Sequence, residues 1–129
     1  SEAMMQLKDY FKDTQGTGIL STADTKGKVD SAIYGRPHFL KDGSLGFIMR
    51  NRLSYANIQE NPQAAFLFIE EGPHYRGKRL ILTKIREEND EAAIEKLVGP
   101  SRCPVLEPTD EGRSLVVFKL EEERPLIGS

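Results

Sequence analysis

The sequence contains no tryptophan, a single cysteine (Cys103), only two histidines (His38 and His74) and no long apolar run. Each shortage closes off a class of function. One thiol cannot build a disulfide framework, and with no apolar export-type segment at the N-terminus a reducing, cytoplasmic setting is expected. Nothing approaches the roughly 20 consecutive apolar residues that a membrane-spanning helix needs, so no membrane partner is expected. Two histidines and one cysteine, without H-E-x-x-H or C-x-x-C spacing, predict no metal site. Neither a G-x-S-x-G elbow nor a G-x-x-x-x-G-K-[ST] loop occurs, which argues against a serine hydrolase and a nucleotide hydrolase. Eighteen basic against twenty acidic residues leave a net charge of −2, too little for nucleic acid to be held by counterion release. Gly16-Thr17-Gly18 imitates the opening of a dinucleotide fingerprint. The third glycine position is Ser21, however, and a strand follows where a helix is required.

The 129 residues suit one domain spanning 1–129 with a single core. Its organising stretch is Leu45–Ile69, LGFIMRNRLSYANIQENPQAAFLFI. Leu45–Met49 and Ala64–Ile69 are short apolar runs rich in Phe, Ile and Leu, and are predicted as buried strands. Between them come Arg50 and Arg52, then Asn51 or Ser54 as the candidate N-cap, then a short helix closed by Asn61-Pro62. A strand end, two guanidiniums and a helix N-terminus with free backbone N–H groups suit a phosphate.

Elsewhere, Met4, Leu7, Lys8 and Phe11 predict an amphipathic helix over residues 3–14. Thr17–Ala23 and Lys28–Tyr34 flank Asp24-Thr25-Lys26-Gly27 as a hairpin. The second arm is expected to continue to Leu40, with Pro37 at an edge, bulge or bend. Lys41–Ser44 turns the chain into Leu45–Arg50, so three antiparallel strands precede the first internal helix, and an all-β core with appended helices is favoured over a βαβ repeat. Arg79–Arg86 is predicted as a strand apolar on both faces. Asn89 or Asp90 would cap a helix carrying Ala93, Ile94, Leu97 and Val98, stopped by Gly99-Pro100. A loop over 99–113, which holds Cys103, precedes a last strand, Ser114–Leu120, and Glu121–Glu123 is expected as a solvated tail.

The order hairpin, strand, basic and hydroxyl residues, helix ending in Asn-Pro, apolar strand resembles the FMN-binding split-barrel family related to pyridoxamine 5'-phosphate oxidase. The similarity runs over about residues 7–120 and is densest in Arg50–Phe68 and in GKRLILTKI at Gly77–Ile85. The resemblance implies a mainly β fold with appended helices, a six-stranded antiparallel split β-barrel of the FMN-binding type, and a homodimer with FMN at the subunit interface. Phosphate contacts would come from Arg50, Arg52 and Ser54, with Asn51 and Asn57 as amide partners. Arginine suits this role because its planar fork holds two phosphate oxygens at once. The family commonly carries a basic residue where this chain has Leu53-Ser54, and Arg50 or Arg52 is taken to substitute in space.

The ring would lie against Ser31, Ala32, Ile33 and Tyr34 together with Ile48 and Met49. By composition alone, Ala32, Ile33 and Ile48 are better read as core residues. Arg36 would reach the phosphate or pair with a surface carboxylate. His74, Tyr75 and Arg76 occupy the loop best placed to reach a substrate pocket. The implied activity is flavin-dependent oxidoreduction of a small organic substrate. The true oxidases have an additional C-terminal segment beyond the last strand, so direct pyridoxamine phosphate oxidation is the less expected reaction. Alternatives are a non-catalytic flavin-binding or stress-related protein, and a barrel holding haem or a deazaflavin.

Overall fold

The computed structural model describes residues 1–99 and 112–128. Helix α1 (Glu2–Asp13) leads into the hairpin β1 (Gly16–Ala23) and β2 (Val29–Tyr34). Then follow β3 (His38–Phe39), β4 (Leu45–Arg50), α2 (Leu53–Glu60), β5 (Gln63–Glu70), β6 (Gly77–Glu88), α3 (Glu91–Val98) and β7 (Arg113–Pro125). The strands form one antiparallel sheet in the order β2-β1-β5-β6-β7-β4-β3. Among the described residues seven strands are present, not the expected six. The extra strand arises because Pro37 has no N–H to continue a ladder. The arm expected to run on to Leu40 therefore breaks at Gly35-Arg36-Pro37 and pairs at the opposite end of the sheet, His38 with Gly46 and Phe39 with Leu45. Four strands thus precede α2, rather than three.

Alternation within the strands builds the core. Leu20, Phe47, Phe66, Phe68, Leu80, Leu82 and Phe118 are all at most 1% exposed. Leu7 and Phe11 of α1 close over them. The rings meet edge-on or tilted, Phe11 to Phe68 at 5.1 Å, Phe47 to Phe66 at 5.0 Å and Phe47 to Phe118 at 5.8 Å. Such contacts add to a burial worth about 1.5–3 kcal/mol per large apolar side chain. Close approach requires glycine at residue 18, since a Cβ there would lie 2.5 Å from the Phe66 ring and 2.6 Å from the Tyr34 carbonyl oxygen. On β7, Val116 and Phe118 join this core, while Leu115 and Val117 face the other way onto Ile94 of α3.

The sheet curls into a half-barrel. β2 stands first and β4 sixth in strand order, yet the ring of Tyr34 meets that of Phe47 at 6.2 Å. Register shifts in the β6–β7 ladder, at Ile81/Leu82 and Lys84/Arg86, mark bulges that raise the local twist. β7 runs well past Leu120. Glu122 and Glu123 pair with Ile81 and Leu80, so the expected tail is strand. Its exposed charges do not oppose pairing, because Lys78 Nζ lies 2.5 Å from Glu123 Oε1 and Arg124 Nε 2.9 Å from Glu122 Oε1. Asp90 caps α3 by accepting from the Ala93 amide at 3.0 Å, and Asn89 instead accepts from the Ser114 hydroxyl at 2.6 Å. Most of the 99–113 loop, Cys103 included, lies outside the described residues.

Candidate functional site

Where the two ends of the sheet approach each other, β2 and β4 are joined by side chains and α2, and a cleft of about 420 Å³ opens along the seam. Its walls are Asp30, Ala32, Ile33, Tyr34 and Gly35 from β2 and its end, and Ile48 and Arg50 from β4. Arg52, Leu53 and Ser54 form the floor. Asp30, Ala32 and Tyr34 share one face of β2 and Ile33 stands on the other; Ile48 and Arg50 share one face of β4, while Phe47 and Met49 turn into the core.

The floor is the start of α2. Its N-cap is Arg52, which makes no side-chain capping bond; neither Asn51 nor Ser54 takes that place. The first amide N–H groups of a helix have no carbonyl within it to donate to, and they carry the positive end of its dipole. Two arginines and the start of α2 therefore line the cleft together with apolar Ala32, Ile33 and Ile48. The Tyr34 phenol is pushed up, chiefly by burial and also by the charge of Asp30, while its hydrogen bond with Ser54 pulls the other way. It is a neutral hydrogen-bonding group at physiological pH.

Polar bonds hold α2 on two flanks. Buried Asn57 donates from Nδ2 to Thr22 Oγ1 of β1 at 3.1 Å, and Thr25 donates from its hydroxyl to Glu60 at 2.9 Å. On the other flank, Tyr55 donates to Glu87 Oε2 at 2.6 Å and Gln59 to Glu87 Oε1 at 2.8 Å. Burial alone would raise the Glu87 carboxyl, but Lys84, Tyr55 and Gln59 outweigh it and bring it down to about 2.

Of the residues expected from sequence, the cleft brings together Ala32, Ile33, Tyr34, Ile48, Arg50, Arg52 and Ser54. The other five lie elsewhere. Ser31 faces away, its hydroxyl 2.8 Å from that of Ser21. Met49 is core, Asn57 supports the helix from behind, and Asn51 is exposed in the turn outside the lining. Arg36 donates from Nη2 to the Thr14 carbonyl at 2.6 Å and lies over the Phe68 ring; among the described residues it reaches neither the cleft lining nor a surface carboxylate. Sequence reasoning missed Asp30 and Gly35 as lining residues. Asp30 was within reach of it, lying two residues before Ala32 on the same strand face. Leu53, a departure from the family pattern in sequence, also lines the cleft. His74, Tyr75 and Arg76 form an exposed loop that contributes nothing to this lining. Among the described residues no group of three or more His, Cys, Asp or Glu is arranged to hold a metal ion, and no helix is long and apolar enough to cross a membrane.

No protein-family model matches the sequence, and no curated protein matches it. Solved structures do share the fold. An FMN-binding protein from Syntrophomonas wolfei subsp. wolfei superposes with a TM-score of 0.75 at 16% identity, over 99% of this chain and 88% of that one. A protein related to general stress protein 26 of B. subtilis (pyridoxinephosphate oxidase family), from Clostridium acetobutylicum, gives 0.69 at 14% identity, over 97% and 89%. An F420 reductase gives 0.64 at 20% identity, over 90% and 94%. At these identities the likeness is one of fold.

Proposed function

We propose that this chain is a flavin-binding split-barrel domain that holds FMN in the seam cleft, and that two copies assemble with the flavin at their interface. One observation carries the reading: Arg50, Arg52 and the uncapped start of α2 line the same cleft as an apolar wall and a neutral phenol. A flavin mononucleotide has that composition, a doubly charged phosphate at one end and a flat apolar ring with polar edges at the other. The arginines and the α2 amides would take the phosphate, and Asp30 and Ser54, which line the same cleft, would accept from and donate to ribityl hydroxyls. Ala32, Ile33 and Ile48 would flank the ring. The FMN-binding protein that shares this fold supports the same cofactor.

Assembly is supported by the outer rim of the cleft. Val29, Ile33 and Leu53 are 76%, 72% and 58% exposed, and β2 ends the sheet with an unpaired edge. An exposed apolar edge strand is a surface that a second chain stabilises by covering. Bound flavin would supply the electron transfer, and the chain's residues would bind, orient and shield it. On that basis the activity is oxidoreduction of a small organic substrate.

A non-catalytic flavin carrier is the second reading, favoured by one feature. Among the described residues the cleft lining offers no imidazole or thiol, and Tyr34, with its phenol pushed up, is a poor proton donor near neutral pH. Absorption of the purified protein, with the mass of the released cofactor, is expected to identify FMN. A Soret band or a deazaflavin mass would overturn the cofactor assignment. Anaerobic bleaching of the flavin by NADH or NADPH would favour turnover, and no acceleration with either donor would favour the carrier.

A further inference from the structure

Helix α2 is poorly anchored by apolar packing. Of its eight residues, Ile58 is the only fully buried apolar one, and so short a helix has little stability of its own. Its position is therefore set by polar contacts. On one flank these are spread over several residues of β1, β2 and their turn. On the other, one carboxylate takes two of them: Tyr55 and Gln59, four residues apart and so on the same helix face, donate to Oε2 and Oε1 of Glu87, and Ser114 of β7 adds a side-chain hydrogen bond to Tyr55.

The strand is built to aim that carboxylate. In a regular strand, residues three apart point to opposite faces, so Lys84 and Glu87 could not meet. The β6–β7 register slips between Lys84 and Arg86, with Lys84 opposite Phe118 and Arg86 opposite Val117, leaving Ile85 as the extra residue of a bulge. The slip turns Glu87 to the side of Lys84, whose Nζ lies 2.7 Å from Glu87 Oε1. Re-aiming a side chain next to a site is a recurrent use of bulges.

We propose that Glu87 is a positioning residue for the phosphate end of the ligand: gripping α2 through Tyr55 and Gln59, it fixes the angle at which the first-turn amides and Ser54 face the cleft. Tyr55 is the third residue of α2 and follows Ser54 directly, so its tether acts on the same turn that lines the site. The inference rests on the phosphate reading of the cleft, and it separates two ligands that differ in the phosphate alone, FMN and riboflavin.

The test is to titrate both flavins into the full chain by fluorescence quenching, for wild type, Glu87→Ala and Tyr55→Phe. Wild type is expected to prefer FMN. Glu87→Ala should weaken FMN by about tenfold, equivalent to ~1.4 kcal/mol, and leave riboflavin unchanged, so that the preference contracts. Tyr55→Phe leaves Glu87 paired with Lys84 and Gln59, and should contract the preference in the same direction by about threefold; it serves as the probe if Glu87→Ala does not fold. Equal weakening of both flavins, or an unaltered preference, would reduce Glu87 to a structural role and overturn the inference while the cleft assignment stands. A wild type that binds both flavins equally would overturn the phosphate reading, and the role of Glu87 with it.

Discussion

The core under α1 and the seam between β2 and β4 lie only one residue apart along β4, and they are built on opposite principles. Phe47 and Met49 enter a core of interlocking rings; Ile48 and Arg50 line an open cleft with a second guanidinium, a carboxylate and helix amides. In the core, apolar packing determines position, and loss of one ring is felt throughout. At the seam, hydrogen bonds determine position, and loss of one changes an angle or an affinity. Stability and binding are thus assigned to alternate residues of the same strand, which makes them separable by mutation.

The contrast breaks most sharply in the core. Phe66→Ala should cost about 3–5 kcal/mol, seen as a lower midpoint in denaturant, because Phe66 touches Phe11, Phe47 and Phe68 at once. A loss no larger than that of a surface substitution would show that the rings do not carry the fold. At the seam's rim, Ile33→Asp should leave the midpoint of the isolated chain within about 0.5 kcal/mol, the usual surface range. It should also weaken self-association in sedimentation, since a charge would enter the apolar edge strand. Unchanged association would move the interface away from β2.

The smallest effect sharpens the comparison. Glu87 has its carboxyl lowered from 4.5 to about 2, so its contribution is complete above about pH 4.5 and is lost as acid protonates it toward pH 2. Glu87→Gln should therefore be less stable than wild type at neutral pH by on the order of 1 kcal/mol. The two stability curves should converge between pH 4.5 and pH 2. Parallel curves over that window would show that the ion pair with Lys84 contributes nothing.

Much of this was legible in the sequence because it is local. The short runs rich in Phe, Ile and Leu predict β4 and β5, and Arg50, Arg52 and Ser54 converge because only Asn51 and Arg52 separate the end of β4 from the start of α2. The illegible parts depend on phase or on distant partners. Met49 sits between Ile48 and Arg50, and only the pairing of β4 with β7 decides which of them faces the core. Asn57 follows Ser54 by three residues, yet Thr22, 35 residues away, captures its side chain. β3 is two residues long, too short for a periodic signal, and it joins β4 at the end of the sheet opposite β2. The bulge that aims Glu87 has no glycine or proline to announce it, because it arises from the register of β6 against β7.

The central claim is that the guanidiniums at the seam grip an anionic flavin tail, and FMN titration of Arg50→Ala/Arg52→Ala beside wild type tests it most directly. At roughly 1.5–3 kcal/mol for each charge-assisted contact, the double variant should bind FMN at least a hundredfold more weakly, with its unfolding midpoint close to that of wild type. An FMN affinity equal to wild type's would contradict the account.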